Sequence, residues 1–502
     1  MSFTVSPSSA TTPLVLALDV GSTGTRGGLF DATGRPLSQL RHKVHHQFTT
    51  ATDGTSTIDA DQVVAEVAEV ITTVCRRLRE ASGKHRPAIR GVGIDTFASS
   101  LVGVDDHGRA ITGCITYADS RCSAQVARLR DEWDESAIQQ RTGTRIHSSY
   151  LPARFAWLAQ EHPDLMQRAA RWMSLSEYVH LQLIGATAAG TSVAAWTGLL
   201  DRRTGDWDDP LLEQCGLERD RLNAVAPPSE PLVPTGNHAD LPSKVWAMVA
   251  EAHWSPGISD GFASNVGAGG TDPRSAVIAA ATSGAMRVLV DHVPEQVGSG
   301  LWCYRVDERR SIVGGALNDV GRAVSWLEST IRMPSAEELA ELLGSDPDPD
   351  TPLVLPFLSG ERSTGWAGGA RAVVTGLGAA HDGGALARGM FEGIAASYAR
   401  VAAQLSEIAG TPERILASGR VSADLPALLP VLADALQAPL TPVTIKRSTL
   451  RGTALVTLDV VAPDVARADP TTAPTHEPHP ARAEYHRQRL VEFERVYAAL
   501  IG

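Results

Sequence analysis

Hydrophobic and polar residues follow one another in blocks that predict alternating strands and helices. An apolar run over residues 14–18 ends in Asp19, a turn of small polar residues follows, and residues 28–30 form a second apolar run. This pattern predicts a β-hairpin at the start of the chain. Residues 59–82 then carry apolar side chains at helical spacing, and residues 89–94 are typical of a buried strand.

The second half of the chain restarts this pattern. Residues 276–290, AVIAAATSGAMRVLV, predict a strand, a polar turn and a strand, with Arg287 closing the turn as Arg26 closes the first one. A Pro- and Asn-rich stretch over residues 223–256 is the first plausible seam. We therefore predict two α/β domains that meet near residue 256, with a cleft between them.

Three later segments complete the predicted organisation. Helical spacing returns over residues 385–408 and 482–501, whereas the Pro-rich residues 463–480 predict a solvated loop. The predicted division is an N-terminal domain of residues 14–256, a C-terminal domain of residues 257–462, and a Pro-rich segment with a terminal helix, residues 463–502.

The composition is that of a folded, acidic protein. Hydrophobic residues make up 43% and charged residues 20% of the 502 residues, and 45 basic against 57 acidic side chains give a net charge of −12. This charge argues against a general polyanion binder, so we expect no nucleic-acid partner. No apolar run approaches the roughly 20 residues of a membrane span, the start lacks a secretory signal, and the five cysteines are scattered. We therefore expect a cytoplasmic protein with no membrane partner and no disulfide framework.

The first turn has the residues of a phosphate site. In DVGSTGTR an acid, a glycine, hydroxyl side chains and an arginine share one tight turn, which can aim backbone N–H groups and hydroxyls at phosphate oxygens. Asp19 is placed to hold Mg²⁺, directly or through water. An ordinary hairpin turn is the alternative. The candidate phosphate ligands are Gly21, Ser22, Thr23 and Arg26.

Two elements of the second half add candidates. The string ATSGAMR supplies a second small hydroxylated turn, in which Thr282, Ser283 and Gly284 are candidate phosphate ligands. In ISDGFASNVG, Asp260 follows a predicted loop and precedes a helix start, where its carboxylate could accept a hydroxyl proton as a general base. Capping of that helix by Ser259 or Asp260 is the alternative.

Six strings in order over residues 14–460 together resemble the FGGY family of carbohydrate kinases, within the actin-like, sugar-kinase and Hsp70-type ATPase fold. DVGSTGTR and ATSGAMR are similar to its two phosphate motifs, ISDGFASNVGAG to the stretch with its catalytic aspartate, and YADSR to a string of its sugar domain. The remaining two strings are GGALNDVGRAVSWL and PFLSGERSTGWAGGARAVVTGL. DTFASSLVGVDDHGRAITGCITYADSR and GLWCYRVDERRSIVGGAL are similar to the gluconokinase-like branch.

This resemblance implies two ribonuclease H-like domains and transfer of the ATP γ-phosphoryl group, with Mg²⁺, to a sugar hydroxyl. Asp260 would be the general base, residues 14–256 the sugar-binding domain and residues 257–462 the nucleotide-binding domain. The resemblance adds three nucleotide-side candidates, Gly321, Gly419 and Arg420. Its candidates for sugar contacts, each with a packing or turn role as the alternative, are Phe97, Ser99, Tyr117, Asp119, Ser149, Tyr150 and Asp260.

Four of the departures from the family pattern bear on activity. Ala98 and Ser99 are smaller than the side chains expected beside the sugar, Ala281 replaces a glycine of the second phosphate motif, and Arg420 replaces a glycine of the adenosine segment. The favoured function is a kinase of a gluconate-like sugar acid. A kinase of another polyol, ketose or cyclitol is the first alternative, and a catalytically weak nucleotide- or sugar-binding regulator is the second. A homodimer is one option for the assembly.

Overall fold

The computed structural model describes residues 3–82, 87–419 and 424–501, and the chain forms two compact units. Each unit is assembled from separate stretches of the chain. Unit 1 contains the residues up to Gly267 with Cys303–Ser311 and Arg447–Asp469, and unit 2 contains Ala268–Trp302, Ile312–Lys446 and the residues from Pro470 onward. The predicted division at residues 14–256, 257–462 and 463–502 stays a prediction.

Unit 1 consists of a central sheet, its flanking helices and several short strands. Its strands are β1 (Leu14–Gly21), β2 (Gly24–Phe30), β3 (Pro36–Val44), β4 (Thr49–Thr50), β5 (Ser56–Ile58), β6 (Ile89–Thr96), β7 (Val102–Val104), β8 (Cys114–Ile115), β9 (Arg171–Met173), β10 (Ala189–Gly190), β11 (Leu200–Asp201), β12 (Asp206–Trp207), β13 (Val225–Ala226), β14 (His253–Trp254) and β15 (Ile258–Ser259). Its helices are α1 (Ala60–Ser82), α2 (Ser123–Glu132), α3 (Glu135–Thr142), α4 (Leu151–Glu161), α5 (Pro163–Arg168), α6 (Leu175–Ile184), α7 (Thr191–Thr197), α8 (Asp209–Gln214), α9 (Ser243–Val249), α10 (Asp260–Gly267) and α15 (Ser448–Val461), with 3₁₀ turns at Pro7–Ser9 and Arg219–Arg221.

The central sheet of unit 1 has the strand order β3-β2-β1-β6, and both β14 and β15 pair with β6. β1 and β2 form the predicted antiparallel hairpin, whereas β6 runs parallel to β1 and both β14 and β15 run parallel to β6. The residues of β1 from Leu14 to Val20 are all buried, as expected for a strand that is covered on both faces. Parallel direction places the carboxyl ends of β1, β6 and β15 at one edge of the sheet.

Helices α1 and α15 cover opposite faces of this sheet. A Cβ atom added to Gly27 would lie 2.6 Å from Val70 of α1, and one added to Gly28 would lie 3.7 Å from Leu450 of α15. Because consecutive strand residues point to opposite faces, the two helices lie on opposite sides of β2. The helix predicted over residues 59–82 is confirmed by α1, whose buried side chains include Val63, Val67, Val70, Ile71, Val74 and Leu78.

Glycines allow α10 and α15 to cross at close range. A Cβ atom added to Gly452 would lie 1.7 Å from the carbonyl oxygen of Ala263, and one added to Gly267 would lie 1.8 Å from that of Ser448. No side chain fits between backbones at this separation, because real Cβ atoms do not approach other atoms within 3.0 Å. The crossing holds the first turn of α10 beside the sheet edge described above.

Unit 2 repeats the combination of one sheet and flanking helices. Its strands are β16 (Ser275–Ala280), β17 (Gly284–Val290), β19 (Ser311–Leu317), β20 (Leu353–Leu355), β21 (Val373–Thr375), β22 (Arg414–Ser418) and β23 (Leu440–Pro442), and the chain passes from unit 2 to unit 1 within β18 (Trp302–Arg305). Its helices are α11 (Gly321–Thr330), α12 (Ala336–Gly344), α13 (Gly383–Ala409), α14 (Leu428–Leu436) and α16 (Ala483–Leu500), with a 3₁₀ turn at Pro480–Arg482.

The two sheets share one plan. In unit 2 the order is β19-β17-β16-β22-β23, and β16 and β17 form an antiparallel hairpin while β22 runs parallel to β16. The sheet of unit 1 likewise has an antiparallel hairpin followed by a parallel strand. The prediction of two α/β domains is therefore confirmed, and so are the second hairpin and the helices predicted over residues 385–408 and 482–501.

The solvated loop predicted over residues 463–480 is confirmed, since none of these residues is buried. The loop also pairs with β23: Leu440 and His476 exchange two backbone hydrogen bonds, and the N–H of Ala473 donates to the carbonyl of Pro442. The segment thus runs along β23, because an edge strand leaves backbone groups available for pairing. Within the described ranges, no helix is both long and apolar enough to cross a membrane.

Candidate active site

Three aspartates lie where parallel strands of unit 1 end. Asp19 of β1 pairs in register with Asp95 of β6, and Ile258 and Ser259 of β15 pair with Asp95 and Thr96. Asp260 follows immediately as the first residue of α10. The loop predicted before Asp260 is therefore a short strand, which two residues are too few to signal by alternation. The sheet thus gathers three carboxylates at one edge, the usual place for a site in an α/β protein.

Asp19 is buried and carries an ion pair with Arg26. The two residues face each other across the β1–β2 hairpin, and Arg26 Nε lies 3.3 Å from Asp19 Oδ2. The pKa of Asp19 is raised to about 6, because burial and the charge of Asp260 outweigh the lowering effect of Arg26. Arg26 therefore offsets part of the negative charge at this edge.

Asp95 is a site residue that the sequence analysis does not predict. It is fully buried, the Thr453 hydroxyl of α15 donates to its Oδ2 at 2.5 Å, and its Oδ1 has no hydrogen-bond partner. Burial, and then the charge of Asp19, raise the pKa of Asp95 well above its usual range. The available signal was an apolar run that ends in an acid, since residues 89–94 precede Asp95 as residues 14–18 precede Asp19.

Replacement of Asp95 by Asn should make the folded protein less sensitive to alkaline pH. A carboxyl group whose pKa is raised by folding stabilises the native state in full at pH values below its pKa in the unfolded chain, which is near 4. This stabilisation is lost as the pH rises towards and through its pKa in the folded protein. Each pKa unit corresponds to about 1.4 kcal/mol. The measurement is the thermal unfolding midpoint of both proteins at pH 5 and at pH 8, without Mg²⁺. Relative to wild type, the midpoint of Asp95→Asn should be several degrees higher at pH 8 than at pH 5. Parallel pH curves would show that Asp95 is ionised throughout.

Asp260 lies half-buried at the start of α10, and its Oδ1 accepts a hydrogen bond from the N–H of Gly261 at 2.8 Å. Its negative charge raises the pKa of both Asp19 and Asp95, so the three side chains act on one another electrostatically. Trp196 packs against Gly261, since an added Cβ atom there would lie 2.9 Å from the indole. The Asp260 carboxylate is therefore partly accessible at this sheet edge, and its hydrogen bond is to the N–H of the next residue.

The first predicted phosphate turn is an exposed hairpin tip. Ser22 and Thr23 are exposed between Gly21 and Gly24, which pair with each other. Gly24 has φ +148°, and a Cβ atom there would lie 2.3 Å from the Val44 carbonyl oxygen, so only glycine fits. The tip thus presents two hydroxyls and backbone N–H groups next to the Asp19–Arg26 pair.

The second predicted phosphate turn lies in unit 2 and meets the start of α11. Thr282 and Ser283 are exposed, and the N–H groups of Gly321 and Arg322 donate to the carbonyls of Ala281 and Thr282. An added Cβ atom on Gly321 would lie 2.5 Å from the Ala281 carbonyl oxygen. This contact explains why glycine occupies the first position of α11.

A cavity of about 460 Å³ adjoins this second turn and is lined by Thr282, Gly321 and Arg322, among others. Gly419 follows β22 with φ +92°, and a Cβ atom there would lie 2.8 Å from the Ala280 carbonyl oxygen. Unit 2 therefore brings its predicted nucleotide-side glycines together around one turn. Arg420 lies outside the described residues and stays a prediction.

Aromatic side chains form a cluster beside the carboxylate edge of unit 1. The rings of Phe48 and Phe97 pack edge to face with centroids 5.0 Å apart, and Tyr117 lies 6.2 Å from Phe97. Tyr117 is exposed, whereas Phe97 is buried. The N–H of Phe97 donates to the Val20 carbonyl at 3.1 Å, which fixes the cluster next to the first turn. Aromatic faces of this kind suit the apolar face of a sugar.

The remaining candidates for sugar contacts already have partners within unit 1. Ser99, at φ +55°, donates its hydroxyl to the Trp196 carbonyl, and Asp119 accepts hydrogen bonds from Arg121 and from the N–H of Ser56. Asp119 and Arg121 form an ion pair with N and O atoms 2.8 Å apart, which is a structural role for Asp119.

Ser149 and Tyr150 directly precede helix α4 (Leu151–Glu161). The N–H of Ser149 donates to Nδ1 of His147, and the Tyr150 hydroxyl lies 2.5 Å from that of Tyr304. These contacts place both residues in a polar and aromatic corner of unit 1. A role of either residue in binding sugar stays a prediction.

The donor set at the carboxylate edge fits Mg²⁺. This ion keeps several waters and binds one or two carboxylates together with substrate phosphates. Asp19 supplies a carboxylate next to a phosphate-type turn, and Asp95 supplies a buried oxygen without a partner. Over the described part of the chain, no group of three or more His, Cys, Asp or Glu side chains forms a ready metal cage. Asp19 and Asp95 would therefore hold the ion only together with its waters and the nucleotide.

Comparison with known proteins finds relatives that cover both halves of the chain. The family models for the N-terminal and C-terminal domains of the FGGY family of carbohydrate kinases match residues 14–267 and 276–458. A gluconokinase of Bacillus subtilis (strain 168) is 26% identical over 81% of this chain and 80% of its own, and a glycerol kinase of Gloeobacter violaceus is 27% identical over the same shares. The crystal structure of gluconate kinase from Lactobacillus acidophilus has a TM-score of 0.87 at 22% identity, covering 97% of this chain and 98% of that one.

The chain therefore belongs to the FGGY family of carbohydrate kinases. It is an ATP-dependent enzyme that phosphorylates a sugar, so that ATP and a sugar are its substrates. The resemblance stated from the sequence is confirmed, together with the fold that it implied.

Proposed function

We propose that this enzyme transfers the γ-phosphoryl group of ATP to a hydroxyl of a gluconate-like sugar acid, with Asp260 as the general base. The observation that carries the proposal is the meeting of Asp260, Asp19 and Asp95 at the carboxyl ends of adjacent strands. The relatives named gluconokinase support the choice of substrate. In this proposal residues 14–256 supply the sugar contacts and residues 257–462 most of the nucleotide contacts.

The proposed step needs little covalent chemistry from the protein. The Asp260 carboxylate accepts the proton of the sugar hydroxyl, the hydroxyl oxygen forms a bond to the γ-phosphorus, and the bond from that phosphorus to the ADP oxygen breaks. Positioning and charge neutralisation supply most of the rate in such transfers. Arg26, paired with Asp19, and the turns at 21–23 and 282–284 would hold the phosphates. Mg²⁺, when bound, would neutralise charge that develops on the phosphate oxygens.

Replacement of Asp19 by Asn should raise the Mg²⁺ concentration that gives half-maximal activity. The amide keeps the shape of the side chain but loses the charge that attracts the cation. Loss of one carboxylate from a divalent-cation site should raise this concentration by about 10-fold or more. The measurement is a titration of MgCl₂ at saturating sugar, with total ATP held constant. An unchanged midpoint would assign the metal to other residues.

A second candidate substrate class rests on the small side chains near the aromatic cluster. Ala98 and Ser99 leave room where larger groups are expected, and a glycerol kinase lies among the relatives of the chain. The alternative is therefore a kinase of another polyol, ketose or cyclitol. A roomier apolar site discriminates only weakly, by about 10–200-fold for each methylene-sized difference.

A panel of sugars decides between these candidates. Gluconate, xylulose, ribulose and glycerol would each be supplied with ATP and Mg²⁺, and ADP release would give kcat/KM for each. The highest value with gluconate supports the proposal, a preference for another member supports the alternative, and no sugar-dependent turnover supports a regulator. We place the enzyme in the cytoplasm, where ATP is made, with small molecules as its partners, and we keep a homodimer as the option for its assembly.

A further inference from the structure

A buried histidine joins the first phosphate turn to helix α1. His46 follows β3, its ring is buried, and its Nε2 lies 2.7 Å from the carbonyl oxygen of Gly21. Its Nδ1 lies 2.8 Å from Oε2 of Glu66, which belongs to α1. Gly21 is the first residue of the hairpin tip that carries Ser22 and Thr23. His46 therefore contacts the turn from the side of the protein interior.

Hydrogen-bond chemistry fixes the direction of the contact with Gly21. A carbonyl oxygen can only accept, so Nε2 carries a hydrogen and donates it to Gly21. The contact between Nδ1 and Glu66 needs one further hydrogen, on either the ring or the carboxyl group. Glu66 is itself held by the Thr25 hydroxyl at 2.7 Å and by the Gln62 amide at 2.9 Å. The Glu66 carboxyl group thus fixes the ring with Nε2–H aimed at the turn.

This contact also sets the direction of the next N–H group. The peptide between Gly21 and Ser22 is trans, so its C=O and N–H point in opposite directions. With the Gly21 carbonyl held towards His46, the Ser22 N–H points away from the buried ring. Gly21 has no Cβ atom to restrict its rotation, so a partner beyond its pairing with Gly24 helps to keep this peptide plane fixed. His46 is placed to be that partner.

We infer that His46 is a positioning residue for phosphoryl transfer, which acts by aiming the Ser22 N–H at the nucleotide phosphates. The inference rests on the proposed function, which places this turn at the phosphates. A fixed N–H donor stabilises phosphate charge without having to reorient when the charge develops. His46 touches neither nucleotide nor sugar in this scheme. Its effect passes through the Gly21–Ser22 peptide.

Two substitutions separate the two hydrogen bonds of the ring. Counted in bonds from Cβ, the amide nitrogen of Asn corresponds to Nδ1 of His and that of Gln corresponds to Nε2. His46→Gln therefore keeps a donor for Gly21 and loses the link to Glu66, whereas His46→Asn does the reverse. We expect kcat/KM for ATP to fall by about 10- to 100-fold in His46→Asn, as for other positioning partners. His46→Gln should stay within about threefold of wild type.

A neighbouring pair provides the matched control. His42 of β3 contacts Glu69 of α1 at 2.8 Å, with Nε2 on the carboxylate, and it lies away from the turn. His42→Asn removes this contact between a histidine and a carboxylate of α1, whereas His42→Gln keeps a nitrogen at the Nε2 position. Both variants should keep the wild-type kcat/KM for ATP. Thermal midpoints of all four variants show how much of any effect comes from lost stability.

The outcomes distinguish the inference from the proposed function. The inference is supported if kcat/KM for ATP falls in His46→Asn and stays close to the wild-type value in His46→Gln. Equal effects in the two variants, including loss of the folded protein in both, assign His46 to folding alone and overturn it. If wild type turns over ATP with no sugar, the proposed function fails, and calorimetric binding of ATP then decides the inference. Weaker binding by His46→Asn than by His46→Gln supports it, and equal binding overturns it.

Discussion

Asp260→Asn should abolish sugar phosphorylation while leaving the nucleotide bound. Asn keeps the size of the side chain and an oxygen acceptor, which is the group that receives the Gly261 N–H at 2.8 Å, so α10 should start unchanged. It cannot accept the proton of the sugar hydroxyl, and loss of a general base costs about 10²–10⁴ in rate. We therefore expect kcat to fall by about this factor. Steady-state kinetics with the preferred sugar and calorimetric binding of ADP provide the two measurements.

The matched control for this experiment is Asp164→Asn, which changes an exposed carboxylate of α5 that lies 4.0 Å from Arg168. It should show wild-type kcat and KM. Retention of near-native turnover by Asp260→Asn would remove Asp260 as the base and leave Asp95 or Asp19 as the acceptor. A large loss of ADP affinity would instead point to a role of Asp260 in the shape of the site.

Gly452→Ala should destabilise unit 1 strongly. The new Cβ atom would lie 1.7 Å from the Ala263 carbonyl oxygen, which is backbone and cannot swing aside, so α10 and α15 must separate. Overpacking of a core costs about 1–3 kcal/mol and occasionally more, and here we expect the upper end. In a domain of this size that corresponds to a fall in the unfolding midpoint of roughly 5 to 10 °C. Differential scanning calorimetry measures it directly.

Gly344→Ala is the control, since no atom lies within 4 Å of a Cβ added at the end of α12. Alanine there should leave the midpoint unchanged or raise it slightly, because alanine has the higher helix propensity. Because the crossing also seats Asp260 and Thr453, the surviving activity of Gly452→Ala should fall with its stability. A wild-type midpoint in Gly452→Ala would show that the two helices can separate without cost.

The sequence predicted those site residues that lie next to a regular local pattern. Asp19 ends an apolar run and begins a turn of small residues, and the hairpin that this pattern predicts is present. Asp95 also ends an apolar run, but no such turn follows it, so nothing local marks it as part of the site. Its importance comes from the pairing of β6 with β1, which is a tertiary property.

Like turns did not predict like contacts. Arg26 and Arg287 both follow a small polar turn, and both hairpins form. Arg26 pairs in register with Asp19, whereas Arg287 pairs with Val277 and lies over the Trp302 ring at 5.9 Å. The repeated topology is thus visible in the sequence. The chemistry differs because the residue opposite each arginine differs, and the turn itself does not report that residue.

Contacts that bridge distant segments left no signal in the sequence. His46 and Glu66 are 20 residues apart, and their meeting depends on how α1 packs on the hairpin. His46 belongs to no motif, and a lone histidine is most often an ordinary core residue. The fold class and the charged candidates Asp19, Arg26 and Asp260 were predictable from the sequence. The groups that hold these side chains in place were not.

The hydrogen bond between Thr453 and Asp95 affects the order in which the protein folds during its synthesis. The two residues are 358 positions apart, and α15 covers one face of the sheet that carries Asp95. At about 5–20 residues per second, a ribosome needs roughly 20 to 70 s to reach the second partner after the first. During this time β1 and β6 are exposed on the face that α15 later covers, which is an apolar surface open to chaperones. The nascent chain can therefore form its hairpins early, but it completes the acidic edge only when synthesis is almost finished.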